Sequence, residues 1–280
     1  MKLFIFALLI LTSTLAHALI PTSKTILGRT TRQHGKGAYI VEQDITIKAE
    51  GEPITLREKW TIINAETMRV SISRKSSDDV KLDLTYRAGK RTFTDSQGVT
   101  KAVATSSEFI EPYFYFRTLG SFQAALVKAK VVPHDFGQQQ RKIIPANPKD
   151  KSESAILMSV NEPYVRLSRT GGVTAYELGK VTDNTAGNPG AWIESEGFAI
   201  RKIKFPTLSE VQADQYQTFA NQLRFPRERT IKWGTYTATA RVISIRAATD
   251  LEATKNLSSE DSASKVPEIP GLKEFYSRFR

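Results

Sequence analysis

Apolar and polar residues alternate one by one along much of this chain, which is the pattern of β-strands with one buried face. In residues 80–86, for example, Val80, Leu82, Leu84 and Tyr86 alternate with polar residues. Segments of this kind follow one another between residues 39 and 245, and turns containing Gly or Pro separate them. The pattern predicts neighbouring antiparallel strands with one dry face and one solvated face.

Turns rich in glycine divide these segments into pairs. Gly171-Gly172 separates two short apolar segments, and a glycine pair at such a point is typical of a two-residue hairpin. Segments 191–194 and 198–205 flank Ser195-Glu196-Gly197 in the same way, and Gly234 joins the last pair. We count about ten strands, and an antiparallel sheet of that size has to curl in order to bury its dry face.

Helical spacing of apolar residues is confined to short stretches. It occurs around Ile26 and Leu27, within residues 121–130, and at Phe275 and Phe279 near the end of the chain. These helices are too few to fill the hollow of a curled sheet. The expected fold is mainly β: an open, strongly curved antiparallel half-barrel, with short helices over its concave face and an apolar cavity between them.

The chain divides into three parts. Residues 1–18 combine a basic start, an apolar run (LFIFALLIL) and a small-x-small cleavage sequence (AHA), which is typical of a signal peptide. Residues 19–248 are expected to form the half-barrel domain, with a mobile Lys-rich loop at 138–154 and an irregular stretch at 209–221. Residues 249–280 are expected to form a flexible linker and a short C-terminal helix.

The signal sequence implies export, and the cysteine content indicates whether the exported protein carries a lipid anchor. The chain contains no cysteine, so it has neither a disulfide framework nor the acylated cysteine of a bacterial lipobox. Its stability must come from a large hydrophobic core. We therefore expect a protein of the periplasm that is not anchored by lipid.

The chain is basic, with a formal net charge of +11. Nucleic acid is not an expected partner, because the protein is exported and its basic residues are not interleaved with aromatic residues in one stripe. Two interpretations stay open. The charge is either a solvated basic surface, or it attracts anionic lipid headgroups or an acidic envelope protein.

The residue types needed for catalysis are scarce. Only His34 and His134 follow the signal sequence, and neither has the spacing of a metal ligand pair. The chain lacks the Gly-x-Ser-x-Gly and phosphate-loop motifs, and the carboxylates Glu194 and Glu196 lie on a hairpin tip. We therefore expect no catalytic residues, no metal and no cofactor, and interpret the protein as a binding protein, not an enzyme.

Several short motifs resemble a known family. They are Gly37–Gln43 (GAYIVEQ), Leu56–Trp60 (LREKW), Ala191–Phe198 (AWIESEGF) with a basic strand after it, and Phe225–Arg227 (FPR) followed by Trp233-Gly234. Between residues 22 and 247 the chain is similar to the periplasmic lipoprotein-carrier superfamily, the LolA/LolB-like proteins of outer-membrane lipoprotein sorting. The resemblance implies a half-closed β-barrel with a helical lid, which holds the acyl chains of a lipoprotein in transit. It also implies an arginine that contacts the lid, for which Arg57 is the candidate.

The main hypothesis is a monomeric carrier of lipoprotein acyl chains or another hydrophobic ligand toward the outer membrane. The aromatic and aliphatic residues expected to line its cavity are Trp60, Ile62, Leu84, Phe93, Tyr113, Phe114, Phe116, Phe122 and Trp192. The alternative is an envelope sensor of the same fold, which binds a protein partner through its edge strands, its Lys-rich loop or its C-terminal segment. An envelope hydrolase is disfavoured because no nucleophile and base can be paired.

Overall fold

The computed structural model describes most of the chain after the expected signal sequence. The described residues are 20–48, 52–74, 77, 79–137, 141–144, 156–159, 164–179, 188–269 and 271–280. The expected signal peptide at 1–18 and most of the Lys-rich stretch at 138–154 lie outside them.

The fold is an open antiparallel sheet of thirteen strands, in the order β6-β5-β4-β3-β2-β1-β15-β14-β13-β12-β11-β10-β9. Strands β7 and β8 pair separately. The strands are β1 Ala38–Lys48, β2 Ile54–Asn64, β3 Thr67–Arg74, β4 Lys81–Arg87, β5 Lys90–Thr94, β6 Thr100–Ala104, β7 Arg141–Ile144, β8 Ile156–Ser159, β9 Val165–Thr170, β10 Val173–Gly179, β11 Gly190–Glu194, β12 Ile200–Lys204, β13 Glu210–Thr218, β14 Arg224–Trp233 and β15 Tyr236–Ala248. The predicted half-barrel is confirmed, with more strands than the expected number.

The centre of the sheet follows the alternation of the sequence. Val41 in β1 pairs with Trp60 in β2, and both are fully buried on the concave face. Their neighbours Glu42 and Lys59 pair on the outer face. β1 also pairs with β15, which brings the first and last strands of the sheet domain together.

One stretch that we expected to be irregular is a strand. Within residues 209–221, β13 pairs with β14 along nearly its whole length. Only Val211 and Ala213 are buried on its inner side, so its alternation is weak beyond them. The positive φ of Gln215 (54°) interrupts the strand locally. Few inward apolar residues and this irregularity explain why the pattern did not reveal a strand.

Four short helices accompany the sheet among the described residues: α1 Ser23–Thr31, α2 Leu119–Lys128, α3 Asp250–Leu257 and α4 Leu272–Phe279. Thr22 and Thr118 cap α1 and α2 through their hydroxyl groups. Helix α3 corrects the expectation of a flexible linker at 249–265. Its cap is Thr249, whose side chain accepts a hydrogen bond of 3.2 Å from the backbone N–H of Glu252.

The helices lie on both faces of the sheet. Asn256 of α3 donates a hydrogen bond to Thr61, on the outer face of β2. Helix α4 lies on the concave side, where Phe275 and Phe279 pack against Trp233 of β14. Within the described part of the chain, no helix combines the length and the apolar character needed to span a membrane.

Candidate functional site

A cavity of about 480 Å³ lies between α2, the turn that joins β4 to β5, and the segment 105–116. This segment is the aromatic-dense stretch of the sequence, and it contains a short 3₁₀-helix, Glu111–Phe114, with Pro112 in its first turn. The cavity lies at one end of the half-barrel. Its apolar lining consists of Ala65, Tyr86, Ala88, Phe109, Pro112, Tyr113, Phe116, Ala124, Ala125 and Ala129.

The base of the cavity is a stack of aromatic rings. Tyr86 and Phe109 lie parallel, with their ring centroids 4.3 Å apart. Trp60 stacks at 6.0 Å from Tyr86 and 6.3 Å from Phe109. Stacked rings of this kind are rigid and bury large apolar areas, so they give the cavity a fixed apolar surface.

A second aromatic group forms the wall beside α2. Phe116 stacks on Phe122 at 5.8 Å, and Tyr113 meets the edge of both rings. Behind this wall, His34 is buried and its Nδ1–H donates a hydrogen bond of 2.7 Å to the carbonyl oxygen of Phe116. Burial lowers the pKa of His34 to about 4, against the opposing effect of that hydrogen bond. The imidazole is therefore neutral at pH 7.

The rim of the cavity is polar. The exposed side chains of Glu66 and Lys128 lie there, together with the hydroxyl-bearing residues Thr105, Ser106, Ser107 and Ser121. An apolar interior with a few polar groups at its edge is the usual composition of a small-molecule site. Such a cavity fits a hydrophobic chain with a polar head that stays in solvent.

A network of buried charges lies on the concave face beside the aromatic stack. Arg280 and Glu58 are both fully buried, and Arg280 Nε donates to Glu58 Oε1 at 3.0 Å. Gln43 and Trp60 also donate to Glu58, at 2.6 Å and 2.9 Å. Burial opposes the charge of Arg280, but the nearby carboxylates Glu58 and Glu111 hold its pKa above the ordinary value.

A second pair completes this network. Arg229 Nη1 donates to Glu111 Oε2 at 2.9 Å, and another Arg229 nitrogen donates to Gln43. The two arginines balance the two glutamates. Three atoms of the network have no hydrogen-bond partner among the described residues: Glu111 Oε1, Arg229 Nε and Arg280 Nη2. The network is therefore neutral as a whole but incompletely hydrogen bonded.

Two further contacts hold helix α4 on the concave side. Arg278 lies 2.7 Å from Glu108, which also accepts hydrogen bonds from Thr207 and Ser209. Arg91 of β5 donates to the carbonyl oxygens at the end of the helix, including that of Tyr276 at 2.7 Å. A cation at this position also complements the helix dipole.

The nine residues expected to line the cavity are distributed over several environments. Tyr113 and Phe116 line it directly. Phe122 and Trp60 lie one ring further back. The others pack elsewhere: Ile62 and Leu84 are buried in the sheet core, Phe93 is only partly buried, Phe114 packs on Phe225 at 5.5 Å, and Trp192 lies beneath the ammonium group of Lys202.

Arg57, the candidate for a lid contact, lies on the outer face of β2. Its guanidinium group pairs with Asp44, its direct neighbour across β1. On the concave side, Arg91 donates to carbonyl oxygens at the end of α4. Arg229 pairs with Glu111 of the 3₁₀-helix, and this carboxylate also lies 3.9 Å from Arg280.

Sequence reasoning missed the buried charges, although a signal was present. Glu58 lies between Leu56 and Trp60, and Gln43 between Val41 and Ile45, at positions that alternation assigns to the dry face. Polar residues at inward positions of a strand are exceptions that require a partner. Arg229 is the same kind of exception in β14.

The described residues contain no group of three or more His, Asp or Glu side chains arranged to hold a metal ion. No family model matches the chain. A search of curated proteins also finds no match.

Solved structures with a similar chain course do exist. A LolA superfamily protein from Nitrosomonas europaea is 10% identical over 82% of this chain and 94% of its own, with a TM-score of 0.49. A putative outer-membrane lipoprotein-sorting protein domain from Vibrio parahaemolyticus is 10% identical over 84% and 97%, also at 0.49. A DUF1329 family protein from Desulfovibrio piger is 9% identical over 81% and 92%, at 0.48.

The first two names belong to the superfamily that the sequence motifs resemble. At such identities and TM-scores the similarity concerns the course of the chain and carries no argument about chemistry. What this protein binds must be argued from its own residues, and they form an apolar cavity beside a buried charge network.

Proposed function

We propose that this protein is exported to the periplasm, where it binds the acyl chains of a lipoprotein or another lipid and carries them toward the outer membrane. The single observation that carries the proposal is the aromatic-lined cavity of about 480 Å³ at the end of the half-barrel. Its volume lies within the range of about 300–1,000 Å³ that is usual for small-molecule sites.

The energetics of an acyl chain suit such a cavity. Each methylene group transferred from water to an apolar site contributes about 0.8 kcal/mol. The walls are held by ring stacking before any ligand arrives, so little side-chain ordering is needed on binding. The exposed ammonium group of Lys128 at the rim is suited to an anionic or polar headgroup.

The charge of the protein supports contact with a membrane. Of the net charge of +11, only the charge of Lys2 lies in the expected signal peptide, so the exported protein stays basic. Its positive charge favours approach to anionic lipid headgroups, and salt screening weakens this attraction. We infer that delivery involves a membrane surface of this kind or an acidic envelope protein. Vesicle co-sedimentation with and without phosphatidylglycerol, at low and high salt, tests this part of the proposal.

The binding proposal is tested with a fluorescent fatty acid displaced by palmitate. Ala125 lines the cavity from α2, so Ala125→Trp is expected to fill it and weaken binding at least tenfold. Ala247→Trp is the matched control, because Ala247 is exposed in β15 and outside the cavity lining. Circular dichroism establishes that both variants fold.

Two results would contradict the proposal: wild-type protein that binds no fatty acid or lipopeptide, or equal affinity of wild type and Ala125→Trp. Failure to bind lipid, combined with capture of a defined envelope protein, would favour the sensor hypothesis. Export is tested separately, because the mature protein recovered from the periplasm should begin at Leu19.

A further inference from the structure

Helix α4 is joined to the sheet domain by a long tether. Between the end of α3 and Gly271, residues 259–269 form no helix or strand and make a single bridge, Lys265 with Lys81 of β4. The tether starts on the outer face, where Arg69 donates to the carbonyl oxygen of Glu260. It then passes the edge of the sheet, where Ser264 contacts Thr94, and α4 lies on the concave side.

The helix has little stability of its own. It has eight residues, and its N-cap is Gly271 at a φ of 79°, without a side-chain cap. Isolated helices shorter than about 12–15 residues are marginal in water. Helix α4 therefore exists because Leu272, Phe275, Tyr276 and Phe279 are buried against the half-barrel.

The surface beneath α4 adjoins the cavity. Phe275 and Phe279 lie 5.6 Å and 5.3 Å from the ring of Trp233. The Arg280 guanidinium lies 5.6 Å from the Trp60 ring, and Trp60 stacks on Tyr86, which lines the cavity. The rings of Trp60 and Tyr86 thus lie between the end of the helix and the cavity. The helix and the cavity are on the same apolar side of the sheet.

The two carboxylates under the helix, Glu58 and Glu111, keep hydrogen-bond partners when the helix undocks and takes Arg280 with it. Glu58 still accepts from Gln43 at 2.6 Å and from Trp60 at 2.9 Å. Glu111 still pairs with Arg229 at 2.9 Å. Loss of one partner from a buried pair is costly, but these remaining hydrogen bonds reduce that cost. The contact can therefore open when a ligand replaces the apolar surface of the helix.

Resting on the proposed function, we propose that residues 271–280 are a displaceable plug in the lipid site. A single acyl chain occupies the cavity while helix α4 stays docked, because the residues that line the cavity include none of α4. A lipid with several chains needs more apolar surface, and it displaces α4 to occupy the surface formed by Trp60 and Trp233. The contacts of Arg278 with Glu108 and of Arg280 with Glu58 hold the plug closed until then.

The absence of cysteine from the chain allows a direct test. Ser277 is exposed on α4, so Ser277→Cys accepts a nitroxide label whose mobility reports whether the helix is docked. The labelled protein is titrated with palmitate and with a tripalmitoylated lipopeptide. The lipopeptide is expected to convert the spectrum from an immobile to a mobile form, whereas palmitate is expected to leave it immobile.

Two variants of the same helix separate the plug contact from a general charge effect. Arg278→Gln removes the contact with Glu108 and should increase lipopeptide affinity about fivefold, which corresponds to about 1 kcal/mol. Lys273→Gln removes the same charge from an exposed pair with Glu268 and should leave affinity unchanged. Palmitate affinity should be equal in all three proteins.

The outcomes distinguish the two proposals. If the lipopeptide binds while the label stays immobile, the plug is disproved and the lipid site remains. If Arg278→Gln and Lys273→Gln change lipopeptide affinity equally, the plug is also disproved. If no form of the protein binds either lipid, the proposed function fails and the plug fails with it.

Discussion

Arg280 and Glu58 are 222 positions apart in the chain and lie 3.0 Å from each other at the centre of the concave face. Both side chains are fully buried. The pair joins the last described helix to the second strand and brings a charge into an otherwise apolar interior. An isolated buried charge is very unfavourable, so Arg280 stabilises the carboxylate of Glu58 together with the hydrogen bonds that Gln43 and Trp60 donate to it.

Breaking this pair should destabilise the fold. Arg280→Met leaves Glu58 without its cation and is expected to lower the free energy of unfolding by about 3–5 kcal/mol. Adding Glu58→Gln to the same variant should recover part of the loss, because the amide is neutral. Urea denaturation of the two variants measures both values. Arg241→Gln is the control, since Arg241 pairs with Glu228 on the exposed surface and should have little effect. Equal stability of wild type and Arg280→Met would contradict the structure.

The burial of His34 should make the free energy of unfolding depend on pH. Its pKa is about 4 in the folded protein, because burial disfavours the charged ring, and 6.5 is its ordinary value. The unfolded chain therefore binds the proton more strongly, and stability is complete above pH 6.5 and declines as the pH falls toward 4. The loss from this group at pH 5 should be about 2 kcal/mol.

This pH dependence is measured by urea denaturation at pH 7 and pH 5. In His34→Gln the difference between the two pH values should shrink by the contribution of the imidazole, although stability at pH 7 also falls. His134→Gln, at an exposed position, is the control. An unchanged pH dependence in His34→Gln would show that the ring is not buried as described.

The bridge between Lys81 and Lys265 offers a site for an engineered disulfide. Each residue donates its backbone N–H to the carbonyl oxygen of the other at 2.7 Å. In such an antiparallel pair the Cα atoms lie about 5.5 Å apart, which a disulfide can bridge. The double variant with Lys81→Cys and Lys265→Cys should form a disulfide on oxidation, and the disulfide should raise the melting temperature. Reduction should reverse this rise, so the reduced form of the same variant is the control. Failure to cross-link would mean that the tether lies elsewhere.

Phe109 should govern both the free energy of unfolding and the size of the cavity. Its ring stacks on Tyr86 at 4.3 Å, lies 6.3 Å from the ring of Trp60, and lines the cavity. Phe109→Ala is expected to cost about 3–5 kcal/mol and to enlarge the cavity. Differential scanning calorimetry measures the loss, and the fluorescent fatty acid assay should show tighter binding of a bulkier ligand. Phe93→Ala, at a half-buried position outside the lining, should not change ligand preference.

Much of the architecture could be predicted from the sequence because period-two alternation is a local property. It predicts β1 and β2 and the curvature of a large one-sided sheet, and the spacing of Phe275 and Phe279 predicts α4. Of the dense aromatic segment that ends at Phe116, Tyr113 and Phe116 lie at the cavity, whereas Phe114 packs on Phe225.

Other features required information that the sequence holds only weakly. Gln43 and Glu58 are direct partners across β1 and β2, but that register is not visible in either strand alone. The composition of residues 249–265 suggested a linker, although Thr249 and Glu252 have the spacing of a helix capping box. In this stretch the spacing of the two capping residues was a better indicator of the helix than the average composition.

The position of the tether limits association between copies of the protein. Strand β5 pairs only with the second half of β4, from Thr85 to Arg87, and Lys265 occupies backbone groups of the first half at Lys81. Unpaired backbone at a sheet margin recruits strands from other molecules. Detachment of residues 259–265 would therefore expose unpaired backbone groups of β4, and the tether protects the protein from pairing with other copies through them.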